Sequence, residues 1–91
     1  VIGYIECECI IYDAQSLKQK RSVLQSVISR LKHYNLAVSE LDNQDLWQRT
    51  VIGIVTTASS KTACERELQR AIALIDSNPD IELTRTTYEW L

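Results

Sequence analysis

Methionine and phenylalanine are absent from this 91-residue chain, glycine occurs twice, and proline and histidine once each. Two isolated glycines, Gly3 and Gly53, cannot furnish a P-loop, a G-x-G-x-x-G turn or a G-x-S-x-G elbow. His33 stands alone, and no nucleophile–base pair can be assembled from it with Asp13, Asp45 and Ser16. The acylphosphatase-type loop is missing as well. An enzyme is therefore not expected, and neither is a cofactor. No apolar run approaches the roughly 20 residues of a membrane span. The start, Val1-Ile-Gly-Tyr, has neither a basic stretch nor a small-residue cleavage site, so no signal peptide is expected. With no methionine even at position 1, Val1 need not be the gene's first codon.

The three cysteines are too few and too odd in number for a disulfide framework, and suit a reducing, cytoplasmic setting. Cys7 and Cys9 sit two apart on one strand face, and Cys64 lies on the helix stripe expected to cover them. Three small hydrophobes in a core fit better than a metal site, which places ligands on loops at C-x₂₋₄-C spacing. The composition is 45% apolar and 24% charged, with net charge −2. Those values describe a globular domain and exclude disorder, low complexity and a global basic field. No linker or repeat divides residues 1–91, so a single domain is expected.

Residues 1–12 alternate with period two: Ile5, Cys7, Cys9 and Ile11 on one face, Tyr4, Glu6, Glu8 and Tyr12 on the other. Ser16 is placed to cap a helix over 17–34, on which Leu17, Val23, Leu24, Val27, Ile28, Leu31 and Tyr34 share one arc. Asn35 would end it as a left-handed cap. Strands follow at 36–41 and 49–57. The second has Val51 and Val55 on one face and Ile52 and Ile54 on the other, as a central strand does. A second helix spans about 61–77 with Cys64, Leu68, Ala71, Ile72 and Ile75 as its stripe, and Asn78-Pro79-Asp80 stops it. A last strand occupies 81–88. The order β-α-β-β-α-β specifies a ferredoxin-like α+β sandwich. Its four-stranded antiparallel sheet should run 4-1-3-2, with both helices on one face.

That topology gathers the end of the first strand, the start of the first helix and the β2–β3 hairpin at one edge. Lys18, Lys20, Arg21, Trp47 and Arg49 meet there as candidate RNA- or anion-binding residues. Residues 16–34 hold five bases and no acid. Bases in the first turn of a helix oppose its dipole, which suits an anion or RNA backbone bound there. The alternative is a solvated basic face balanced by Asp13, Asp42 and Asp45. Lys20 projects into the apolar arc. The simpler expectation is a snorkelling stem, and the alternative is a half-buried pair with Glu40. Trp47 is either a lid over the core edge or a contact residue. His33 points away from the core and reads as a surface residue. On the open sheet face, Ile2, Tyr4, Ile10, Ile52 and Ile54 are candidates for a homodimer interface. An RNA-recognition module needs aromatics on the two central strands. Strand 3 has none, and the face carries Glu6 and Glu8, so sheet-face RNA binding is disfavoured.

Ser16-Leu-Lys-Gln-Lys-Arg21, Ser39-Glu-Leu-Asp42 and Gln44-Asp-Leu-Trp-Gln-Arg49 resemble the YlxP-like family of small bacterial proteins, and the similarity runs over essentially the whole chain. The resemblance implies a ferredoxin-like fold in the bacterial cytoplasm. Family genes often neighbour those of a translation initiation factor and a ribosome-binding factor, which implies a role in ribosome maturation or translation. It supplies no catalytic residues. The expected partner is ribosomal RNA or a ribosomal component, with a homodimer as the rival and no membrane.

Overall fold

The computed structural model describes residues 1–42 and 48–91. In chain order the elements are β1 (Ile2–Ile10), α1 (Leu17–Leu31), β2 (Ala37–Asp42), β3 (Arg49–Thr57), α2 (Lys61–Asp76) and β4 (Glu82–Trp90). All neighbouring strands are antiparallel, in the order β2-β3-β1-β4. This is the expected 4-1-3-2 arrangement read from the other side.

Side-chain alternation explains the layering. Ile5, Cys7 and Cys9 of β1 and Thr50, Ile52, Ile54 and Thr56 of β3 point to the helices and are buried. They meet Leu24, Val27 and Leu31 of α1 and Leu68, Ala71 and Ile75 of α2 in one core. Apolar side chains at helical spacing thus close over apolar side chains at strand spacing, and this burial is the main driving term.

Both helices begin at serine caps. Ser16 Oγ accepts from the Gln19 amide and Ser60 Oγ from the Ala63 amide, each at 3.2 Å. Gln19 reaches back to accept the Gln15 amide, so two otherwise unpaired donors are satisfied at the start of α1. α1 ends three residues earlier than its apolar arc suggests. Lys32 caps it in the right-handed region, and Tyr34 is exposed. Asn35 does not terminate the helix. It ties the following turn to β3, donating from Nδ2 to the Thr57 carbonyl and accepting at its own carbonyl from Thr56.

Two irregularities shape the sheet edges. Leu41 in β2 and Thr84 in β4 are extra residues against their partner strands. The Leu41 side chain lies across Gly53, where a Cβ would come within 2.8 Å of it. At Gly3 a Cβ would lie 2.8 Å from the Trp90 ring and 2.9 Å from Leu68, so only glycine allows α2 and β4 to close on β1 there.

Candidate functional site

The edge anticipated from topology is assembled by backbone and amide hydrogen bonds. Ile11 donates its amide to the Gln48 carbonyl at 2.8 Å. The Gln48 side chain donates to the carbonyls of Tyr12 (3.0 Å) and Ala14 (3.4 Å). The β1–α1 connection and the start of β3 are therefore neighbours although 34 residues separate Gln48 from Ala14. Gln48 falls inside the Gln44–Arg49 motif, but nothing in that motif marks it as the anchor. The signal available for it is the topology, which puts a polar residue of the hairpin beside a loop rich in backbone acceptors.

The five candidates at this edge fare differently. Lys18 and Arg21 are exposed on α1. Lys20 is 1% exposed, which corrects the snorkelling expectation. Its Nζ lies 3.2 Å from Glu40 Oε2, and Thr50 Oγ1 donates to the same oxygen at 2.6 Å. Full burial of the stem leaves the ammonium no route to the rim, and Glu40 on the inward side of β2 meets it there. Arg49 is exposed at the start of β3, but strand alternation with buried Thr50 turns it to the open side of the sheet. Trp47 lies outside the described residues, as does Asp45.

Carboxylates also reach this edge. Asp13 and Asp80 line a cleft of about 250 Å³ with Gln19 and Ser22. On the other side of α1, Arg21 and Glu40 border a smaller one of about 150 Å³. Away from the edge, Lys18, Ser22, Gln25, Ser29 and Lys32 form one exposed stripe along the outer surface of α1, with Arg21 beside it. Fourteen residues of helix make that stripe about 21 Å long, and α1 contains no acid. Arg30 and Tyr34 continue it into a groove of about 400 Å³ between the helices, opposite Arg70 and Leu74. The Arg30–Arg70 pairing is not legible in the sequence, since it depends on how the antiparallel helices are staggered.

The open sheet face has the opposite character. β1 and β4 carry Glu6, Glu8, Glu82 and Glu89 against Arg85 alone. Arg85 lies 3.7 Å from Glu8. Tyr12 donates its hydroxyl to Glu82, and this bond and the neighbouring charge raise the Tyr12 pKa above its ordinary value. Burial, followed by the charges of Glu6 and Glu89, raises that of Tyr4.

Among the proposed dimer residues, Ile2 is exposed and Tyr4 and Ile10 are half-buried on this face. Ile52 and Ile54 are corrected: both are fully buried against the helices. Period-two alternation separates the two sides of β3 without saying which is covered. The outward apolar residues are Val51 and Val55.

The thiols belong to the interior. Cys7, Cys9 and Cys64 are free and buried. Burial pushes the Cys7 pKa to about 11 and that of Cys9 to about 12. Cys64 lies beside Gly3 and donates to the Thr56 carbonyl, at the far end of β1 from Cys9, so it does not cover the other pair as expected. Among the described residues no group of His, Cys, Asp and Glu could hold a metal ion. No helix among them is long and apolar enough to cross a membrane.

Comparison with known structures returns the fold. A de novo designed protein, Foldit4, matches with a TM-score of 0.58 at 17% identity, over 96% of this chain and 97% of that one. A second, the designed LFR1 1 with ferredoxin fold, matches at 0.55 and 14% identity, over 100% and 87%. Identities that low carry shape alone. In sequence, the chain is 53% identical to the uncharacterized protein YlxP of Bacillus subtilis (strain 168), over 99% of each. Residues 2–88 match the model described as "Protein of unknown function (DUF503)", and the chain belongs to that family.

Proposed function

We propose that this protein is a non-enzymatic binding protein that lays the outer surface of α1 on an RNA backbone, with ribosomal RNA as the target class. The observation that carries the reading is the acid-free α1 stripe: Lys18, Arg21 and Lys32 are exposed on it, and no carboxylate from α1 neutralises them. Its spacing suits a polyanion, because cations spread over about 21 Å can neutralise several phosphates at once. Ser22, Gln25 and Ser29 between them are donors of the kind that position a sugar–phosphate backbone. Arg30 and Arg70 extend the positive surface toward the second helix. The sheet face would repel the same ligand through its glutamates. The ribosomal setting rests on the gene neighbourhood that the YlxP-like resemblance implies.

Binding fits these side chains better than catalysis does. Cys7 and Cys9 stay protonated at neutral pH, and His33 stands on an exposed turn after α1.

The test is a salt titration of binding to isolated ribosomal subunits and to a ribosomal RNA fragment. Binding should weaken as salt rises. In the triple variant Lys18→Ala/Arg21→Ala/Lys32→Ala the log–log slope should fall by about 0.7–0.9 for each phosphate that is no longer neutralised. Arg85→Ala, on the sheet side, should leave it unchanged. Equal affinity and slope in wild type and triple variant would remove α1 as the contact surface.

A further inference from the structure

Edge strands expose a row of free backbone donors and acceptors, and proteins usually blunt them by shortness, bulges, proline or lysine. β2, at one edge, is six residues long with its bulge at Leu41. β4, at the other, is nine residues long. After its extra residue Thr84, the run Arg85-Thr-Thr-Tyr-Glu-Trp90 pairs with β1 without interruption and contains no proline, glycine or lysine. Among the described residues nothing pairs with its outer side.

The direction of the free backbone groups follows from the ladder. Ile2 and Leu91 exchange both backbone hydrogen bonds, at 3.2 and 2.9 Å. Stepping by two along the register, Glu89, Thr87 and Arg85 also turn their amides and carbonyls toward β1. Thr86, Tyr88 and Trp90 turn theirs outward.

We infer that β4 pairs antiparallel with β4 of a second copy, about a two-fold axis at Thr87, to give a continuous eight-stranded sheet. Centred there, Thr86 of each copy faces Tyr88 of the other, and both have outward backbone groups, so the inter-strand bonds form without rearrangement. Thr87 faces Thr87 in a non-hydrogen-bonded pair, where side chains come closest. On the open face, Arg85 of each copy faces Glu89 of the other, twice over by symmetry. No neighbouring register does this. A centre at Arg85 opposes two arginines, one at Thr86 sets Glu89 against Leu83, and one at Tyr88 sets Glu89 against Thr87. Thr–Thr, aromatic–β-branched and opposite-charge pairs are the favourable cross-strand combinations. Arg85, 74% exposed and only 3.7 Å from a half-exposed Glu8, can turn to meet the new carboxylate.

Sedimentation equilibrium at micromolar concentration tests this with charge reversals at Arg85 and Glu89, both exposed, the former held within one copy by a solvent-exposed contact with Glu8. Wild type should be dimeric. Arg85→Glu or Glu89→Arg alone should weaken the dimer roughly 10- to 50-fold, each creating two like-charge pairs, and the double reversal should restore it. Circular dichroism checks that every variant is folded. Thr87→Cys should form an intermolecular disulfide on mild oxidation, since Cys7, Cys9 and Cys64 are buried and cannot compete. Val55→Cys, on the open face, should not. A monomeric wild type, single reversals that leave the dimer intact, a double reversal that fails to restore it, or cross-linking through Val55→Cys instead would each overturn the assignment.

Discussion

Replacing Glu40 by glutamine tests the buried lysine directly. Lys20 is 1% exposed, and its ammonium faces Glu40 Oε2, which also accepts from Thr50. Removing one half of a buried pair typically costs about 3–5 kcal/mol, because the surviving charge stays out of water after losing an opposite charge close to it. Glu40 retains 21% exposure, so some water can enter, and about 2–3 kcal/mol is the expected loss for Glu40→Gln. In a domain of this size that lowers Tm by roughly 10–20 °C. Lys20→Met combined with Glu40→Gln should come back to within about 1 kcal/mol of wild type, since an apolar side chain of similar volume needs no partner. Urea denaturation of the four proteins in the cycle, followed by far-ultraviolet circular dichroism, gives the coupling energy. A coupling below about 0.5 kcal/mol would refute the pair as a fixture of the core. Lys20→Met should also leave the salt slope of RNA binding untouched, because this lysine does not reach solvent.

Alkaline pH should destabilise the fold. The unfolded chain releases thiol protons near pH 9, whereas folded Cys7 and Cys9 hold theirs to about 11 and about 12. Between those limits the unfolded state binds fewer protons, so stability falls by about 1.4 kcal/mol per pH unit for each thiol. Below pH 8 the contribution is constant. Denaturation series from pH 8 to 11 should show a shallower decline for Cys7→Ala, and an unchanged slope would refute the burial argument. Gly3→Ala should cost about 1–3 kcal/mol, since the new methyl meets the Trp90 ring, Leu68 and Cys64 together. Gly53→Ala meets only the exposed end of Leu41, which can move aside, and should stay within about 1 kcal/mol of wild type. Thermal melts of the two variants compare them directly, and equal losses would contradict the packing described. Gln48→Ala should cost about 1 kcal/mol in a urea denaturation series, since it removes the side-chain bonds to the Tyr12 and Ala14 carbonyls and leaves the backbone acceptor of the Ile11 amide in place.

The elements were legible because each carries its own period: two in β1 and β3, 3.6 in α1 and α2. Sheet order followed from β-α-β-β-α-β and the handedness of crossovers. What failed needed information from across the sheet. The helical wheel placed Lys20 toward the core correctly, but the depth of Glu40 depends on how β2 is set against β3. Ile52 and Ile54 looked equivalent to Val51 and Val55 until the helices covered one side of β3. Tyr34 continued the apolar arc, yet Lys32 already ends α1, and the turn is held by Asn35 bonding to β3. At the candidate edge, adjacency was readable from topology. The division into exposed Lys18 and Arg21, buried Lys20 and sheet-side Arg49 was not.

The separation of cations on the outside of α1 from carboxylates on the far surface of β1 and β4 leaves charge unevenly divided between the two layers despite the small negative total. Near a polyanion such a body experiences a torque before it experiences net attraction. At physiological ionic strength the Debye length is about 8 Å, so that reorientation acts over the last few layers of water. On the proposed reading, encounters arriving sheet-first would be turned or rejected, and those arriving helix-first would be retained. Orientation would then govern how often a collision is productive, and mutations that shift charge between the two layers would change association rates even when the total is conserved.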